Sequence, residues 1–211
     1  MTLVAKAEDE RYVLEIHTDD DPENPRREFD NLGTMVCWHN NYVLGDKHSY
    51  GDPRSFMESA AMFGGMSYER ATEVDDTKLQ RFVERDFIVL PLYLYDHGGI
   101  TMSVGGFSDP WDSGQVGWIY VTKAKAREEY GVKRLTKKLL ERIEGYLTGE
   151  VEVYDQYLSG DVYGFVLKDK QDEKNEDSCW GFYGSDPMEN GMMDYIGSEH
   201  KDLIDSLEDV Y

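Results

Sequence analysis

The chain has 211 residues, 40% apolar and 13% aromatic, with a formal net charge of −21. That apolar and aromatic content is enough for a sizeable core, which excludes wholesale disorder. A surface this acidic repels nucleic-acid phosphates and anionic lipids and attracts basic protein surfaces, so direct nucleic-acid or membrane binding is not expected.

Taken in order, Arg11–His17 (RYVLEIH) alternates, with Tyr12, Leu14 and Ile16 on one face, and reads as a strand. TDDDPENPRR, residues 18–27, reads as a polar loop. Its Asp19-Asp20-Asp21 run lacks the glycine and terminal glutamate of an EF-hand loop, so no calcium site is expected. Gly33–His39 (GTMVCWH) reads as a second strand, followed by a long loop over 40–53. Asp52-Pro53 has the pattern of a cap and first helical residue, which predicts a short helix over Ser55–Phe63 ended by Gly64-Gly65. Thr77–Arg85 places Leu79, Phe82 and Val83 at helical spacing.

The richest stretch is FIVLPLYLYDHGGITMSVGGFSDPWDSGQVGWIYVT, residues 87–122. Phe87–Tyr95 has strand length and composition, and Pro91 within it predicts an edge position or a bulge. Asp96-His97-Gly98-Gly99 reads as a turn. Ile100–Val104 and Val116–Val121 complete an antiparallel meander around a Gly- and Pro-bearing loop. Lys123–Tyr130 is helical in propensity, with Gly131 as its stop. Thr136 caps a further helix with Leu139, Leu140, Ile143 and Leu147 on one stripe. The spacing continues through Gly149 with Val151, Tyr154, Tyr157 and Leu158, up to Gly160. Asp161–Leu167 and Ser178–Tyr183 read as strands flanking a charged loop over 168–177. Residues 185–198 carry no clear pattern, and Glu199–Leu207 predicts a last acidic helix. The expected class is α+β, an antiparallel bent sheet of about six or seven strands with helices packed on it. With no repeat and no linker, one domain over 1–211 is expected, with an acidic C-terminal portion from about 150.

The acidity is uneven: residues 150–211 hold 17 acidic and 4 basic residues, a net of −13. It fits solubility, a high-salt host, or imitation of nucleic acid. Lysine is not depleted (12 Lys, 10 Arg), which weakens the high-salt explanation. The candidate partner-binding carboxylates are Asp172, Glu173 and Glu176, with Asp169 and Asp177, in the charged loop. At the end of the chain they are Asp202, Asp205 and Glu208, with Asp209. Asp202, Asp205 and Glu208 are each three apart and form a stripe if the last helix holds, opposite an apolar stripe of Leu203, Ile204 and Leu207.

Signals for catalysis are weaker. His39, His48 and His97 accompany Asp46, Asp96 and Asp112, but no HxxxH or CxxC spacing is present, so neither a metal nor another cofactor is expected. Cys37 and His39 share a strand face at a spacing that rarely gives hydrogen-bond reach. Ser113 lacks the flanking glycines of a nucleophile elbow. The enzymatic alternative is a small hydrolase or metal-dependent enzyme using Asp96, His97 and Asp112, if their two loops meet. Cys37 and Cys179 are the only cysteines and are expected as free thiols. No apolar run reaches transmembrane length, and the start of the chain has no signal-peptide pattern.

LYLYDHGGIT and PWDSGQVGWIYV resemble a recurring pattern in small uncharacterised proteins of phages and mobile elements. VCWHNNYVLGD, VEVYDQYLSGDVYGF and DSCWGFYG fit the same pattern, which spans roughly residues 32–184. The resemblance brings no reaction with it. It implies a protein acting in the cytoplasm of a prokaryotic host. Joined to the charge, it gives the leading expectation: an acidic soluble interaction protein that binds a protein partner with a basic surface. In its sharper form it is a nucleic-acid mimic directed at a host defence protein.

Overall fold

The computed structural model describes residues 1–210, with the side chains of residues 173–176 excepted. The fold is α+β, with nine strands in two antiparallel sheets. The expectation of a single sheet of six or seven strands is corrected to two sheets of five and four. The chain divides into two compact units. One joins Met1–Glu28 to Val153–Tyr211, and the other is Phe29–Glu152. The acidic C-terminal portion is therefore no appendage, because it folds together with the N-terminal residues.

The first unit is built on a sheet of five strands: β1 (Leu3–Glu8), β2 (Tyr12–Thr18), β7 (Val162–Asp169), β8 (Asp172–Tyr183) and β9 (Glu208–Asp209), in the order β8-β7-β2-β1-β9. The alternation read in β2 is obeyed: Leu14 and Ile16 are buried, and they pack with Phe165, Leu167 and Phe182. Two short helices, α7 (Met192–Ile196) and α8 (Lys201–Asp205), close this core with Met192, Ile196, Leu203 and Ile204. The β1–β2 turn is fixed by Asp9, whose Oδ1 accepts from the backbone N–H of Tyr12 and of Arg11 at 2.6 and 2.7 Å. Those two bonds hold its carboxyl below the usual carboxylate range.

Several expectations in this unit are corrected. The loop expected over 168–177 is mostly strand: β7 runs to Asp169, and β8 starts at Asp172 after a turn at Lys170 and Gln171. Ion pairing makes a strand of such charged sequence tenable. Arg11 donates through Nε and Nη2 to Asp169 Oδ2 at 2.9 and 2.8 Å, and Lys168 Nζ donates to Glu15 at 2.9 Å. β1 and β9 had no strand signal. β1 is short and follows no clean alternation, and β9 is only two residues long. The last helix is also shorter than expected. It covers Lys201–Asp205 after a 3₁₀ turn over Ser198–His200, and it stops at Ser206, where the chain turns to pair with β1.

The second unit is built on β3 (Thr34–Cys37), β4 (Phe87–Asp96), β5 (Ile100–Ser103) and β6 (Ser113–Thr122), in the order β3-β6-β4-β5. Helices α2 (Pro53–Phe63), α3 (Tyr68–Glu73) and α4 (Asp76–Val83) cover one face, where Val36, Phe56, Met57, Leu79, Val83 and Phe87 pack together. The alternate residues Met35, Ile88, Leu92, Ile119 and Val121 are buried on the other face. Burial on both faces explains why β4 reads as a continuous apolar run instead of an alternation. Of the two expectations for Pro91 the edge position is met: it lies on the part of β4 that pairs with β6 alone, since β5 pairs only with Tyr93–Asp96, and the register with β6 shifts one step later, between Leu92 and Tyr93. Gly117 is the close approach in this sheet, since a Cβ there would lie 1.9 Å from the Val36 carbonyl oxygen on β3.

The cap expected at Asp52 is present as a capping box with Ser55, and Pro53 opens α2. Arg54 then ties three helices together, donating to Glu58 at 2.7 Å, to Asp76, and to the carbonyls of Ala71 and Val74. A four-residue helix, α1 (Pro25–Glu28), interrupts the expected loop over 18–27, and α5 (Lys123–Glu129) matches the reading from propensity. α6 (Lys137–Ser159) runs 23 residues without a break at Gly149. Its Glu150 carboxylate accepts from the backbone N–H of Leu32 at 2.8 Å and of Gly33 at 3.0 Å.

Candidate functional site

Three loops meet at one end of the four-stranded sheet. The β4–β5 turn carries Asp96 and His97, the loop before β6 carries Trp111 and Asp112, and the loop after β3 carries His39, Tyr42 and His48. The backbone N–H of Asp96 donates to the Asp112 carbonyl at 2.8 Å. His97 Nδ1–H donates to Asp112 Oδ2 at 2.7 Å, and Tyr42 donates its hydroxyl hydrogen to Asp96 Oδ1 at 3.2 Å. The structure thus joins the side chains of His97 and Asp112, while Asp96 meets Asp112 through its backbone N–H and turns its carboxylate to Tyr42.

The His97–Asp112 bond also sets the tautomer. A carboxylate can only accept, so Nδ1 carries hydrogen, and the lone pair of the neutral ring lies on Nε2. That is the orientation a carboxylate gives a histidine general base. The pair is open to water, with 70% of the His97 side chain exposed. Ser113, next to Asp112, donates its hydroxyl hydrogen to the Asp109 carbonyl, as a turn serine does. The turn is capped by Asp109, whose Oδ1 accepts from the backbone N–H of Trp111 at 2.9 Å. Trp111 is 92% exposed in this turn, an apolar side chain that no local sequence pattern marks as a surface feature.

The loop after β3 forms a cleft of about 750 Å³. Its wall is rigid. Trp38 donates Nε1–H to the Tyr50 carbonyl at 3.2 Å and packs against the rings of His48, Phe56 and Trp118. His48 Nε2–H donates to the Cys37 carbonyl at 3.0 Å, which leaves its buried Nδ1 with no partner among the described residues. His39 stacks on Tyr42 with ring centroids 4.9 Å apart. Burial and then the Asp96 carboxylate push the Tyr42 phenol above its ordinary value. Neither cysteine is in a disulfide, and Cys37 is buried. Among the described residues no group of three or more His, Cys, Asp or Glu side chains converges as a metal site.

The carboxylates expected to bind a partner lie in the five-stranded unit. Asp202 and Asp205 are exposed on α8, while Leu203 and Ile204 are buried, so the two expected stripes of this helix are real over its length. Glu208 is not on the helix; it is on β9, opposite Lys6 of β1. Asp172 opens β8 and is exposed, and the side chains of Glu173 and Glu176 lie outside the described residues. Asp169 is a correction: its side chain is only 3% exposed, bound to Arg11, which with the Gln171 backbone N–H holds its carboxyl below the usual range. β8 and β9 are the two outer strands of the sheet, four strand spacings or roughly 19 Å apart. Asp172 on β8 and Glu208 on β9 therefore lie on opposite edges of the sheet. No protein family, curated protein or solved structure matches the chain in comparison.

Proposed function

We propose that this chain is an acidic interaction protein of phage or mobile-element type, acting in the cytoplasm of a prokaryotic host by binding a protein with a basic surface. The observation that carries the proposal is where the charge sits. The unit formed by the two chain ends has 24 acidic and 8 basic residues, a net of −16 of the total −21. Several of its cations are already engaged, Arg11 with Asp169, Lys168 with Glu15, and Lys6 and Lys170 with Glu8. Asp202, Asp205 and Glu208 have no ion-pair partner among the described residues, so their charge is available to a partner.

Fixed carboxylates of this kind can stand where phosphates stand in a basic groove, the sharper form being imitation of nucleic acid to block a host defence protein. The phage or mobile-element origin rests on the LYLYDHGGIT and PWDSGQVGWIYV motifs. No described helix is long and apolar enough to cross a membrane, which fits a partner in solution. The test is affinity capture from a host lysate with the parent and with the triple reversal D202K/D205K/E208K. A partner retained by the parent and lost by the reversal supports the proposal, and identical captured sets sink it.

A second reading is favoured by one observation, the His97–Asp112 bond at 2.7 Å beside Asp96. In that reading His97 Nε2 takes a proton from water or a substrate hydroxyl, and the protein is a small hydrolase. Full biological activity of His97→Ala would remove it.

A further inference from the structure

We propose that the cleft behind β3 is a binding site for a small anion carrying a planar heteroaromatic ring, a ligand of mononucleotide size. It lies in the unit with the milder charge, 19 acidic against 14 basic residues. Its volume, about 750 Å³, falls within the range of small-molecule sites.

The chemistry of the lining sets the ligand class. Lys47 lines the cleft, is exposed, and has no hydrogen-bond or ion-pair partner among the described residues. Beside it in sequence, the Asp46 carboxylate is turned to the backbone, accepting from the Met35 N–H at 2.8 Å. His39 supplies a second donor. The backbone N–H of Asn41 donates to His39 Nδ1 at 3.2 Å, so Nδ1 is the acceptor and the ring hydrogen is on Nε2. A lysine ammonium and an imidazole N–H in one cleft suit a phosphate or carboxylate.

The rest of the lining suits a flat ring with a donor of its own. Trp38, Tyr42 and His39 offer ring surfaces, and each is held: Trp38 by Tyr50 and its aromatic neighbours, Tyr42 by Asp96, and His39 by Asn41 and Tyr42. Gln115 Nε2 donates to the Gly117 carbonyl at 3.2 Å, which leaves Oε1 as an acceptor at the cleft. Rings fixed before binding cost little ordering entropy when a ligand stacks on them. A polynucleotide is disfavoured by the field of the whole chain. A single small anion experiences mainly charges within about one Debye length, ~8–10 Å.

The test uses the full chain with three probes, AMP, adenosine and inorganic phosphate, followed by calorimetry and by the fluorescence of the tryptophans. AMP should bind saturably, at least about tenfold more tightly than adenosine or phosphate alone. Lys47→Glu should weaken AMP about tenfold or more and leave adenosine unchanged, and His39→Phe should weaken AMP while circular dichroism stays that of the parent. Both substitutions are at partly or fully exposed positions outside the core clusters, so the folded state is retained. Absence of saturable AMP binding up to about 10 mM would overturn the assignment. So would AMP binding that is equally tight in Lys47→Glu, or adenosine binding as tightly as AMP. Phosphate alone binding as tightly as AMP would remove the planar ring from the ligand class.

Discussion

A helix of five residues cannot stand on its own, since isolated helices shorter than about 12–15 residues are marginal in water. α8 spans five, Lys201–Asp205, so its presence and the positions of Asp202 and Asp205 depend on what Leu203 and Ile204 bury. Leu203 is 3% exposed and packs in the core with Leu14, Ile16 and Phe165. Truncation of a leucine buried to this degree costs about 2–5 kcal/mol, the transfer term plus the cavity left behind. Leu203→Ala should therefore lower the urea unfolding free energy by that amount. If the docking free energy of α8 is smaller than the cavity cost, the helix should release instead, seen as fast exchange of the amides of residues 201–205. The paired control, Asp202→Asn with Asp205→Asn, removes only exposed charges and should stay within about 0.5 kcal/mol of the parent. A Leu203→Ala protein losing less than about 1 kcal/mol, with amide protection intact, would refute the docking of α8 and the fixed positions of its carboxylates.

Phe56→Ala should cost about 3–5 kcal/mol by denaturant unfolding, because Phe56 is fully buried against Trp38, Tyr50, Trp118 and Tyr120. Below about pH 4.5 the protein should lose stability. The Lys168 hydrogen bond lowers the Glu15 carboxyl, and the Arg11 hydrogen bonds lower that of Asp169. Folded values below the ordinary 4.5 and 3.8 stabilise the protein above that range, and the gain is lost as pH falls through them; thermal unfolding of Arg11→Ala should depend less on acid pH. Burial, then Glu23 and Asp19, push the Tyr183 phenol up to about 12. Stability should fall as pH rises from about 10 towards 12, and ultraviolet difference titration against Tyr183→Phe should show one phenol missing at the alkaline end. Asp112→Asn should change stability by no more than about 1 kcal/mol in thermal unfolding, because its bond to His97 is largely solvated.

Local signals were legible where one physical rule decided the outcome. The Asp52-Pro53 helix start, the alternation of β2 and the one-sided pairing of β4 at Pro91 each follow from a single residue's geometry or a clean period. The meeting of the 96–99 and 109–112 loops was legible only as a condition, because the antiparallel pairing of β4 with β6 sets it, and no spacing within either loop does. Tertiary contacts decided the rest. The strand extension through residues 168–169 depends on Arg11 and Glu15, more than 150 positions away in the chain. The shift of Glu208 from helix to strand depends on the open edge of β1. The cleft is lined largely by the VCWHNNYVLGD stretch, which has no ligand-binding spacing of its own. It arises because the loop after β3 folds back so that His48 bonds the Cys37 carbonyl, which individual side chains in a long loop do not announce.

The central claim is that carboxylates fixed on the end-to-end unit recognise a cationic protein by charge. Its most direct measurement is the affinity for the captured partner as a function of salt, for the parent and for D202K/D205K/E208K. Charge-matched binding should weaken steeply between about 0.05 and 0.5 M salt, as the Debye length shrinks from roughly 14 to 4 Å, and the reversal should not bind at any of these salts. Affinity that is flat across that range, or a reversal that binds as tightly as the parent, would contradict the claim and leave the acidity as a property of solubility alone.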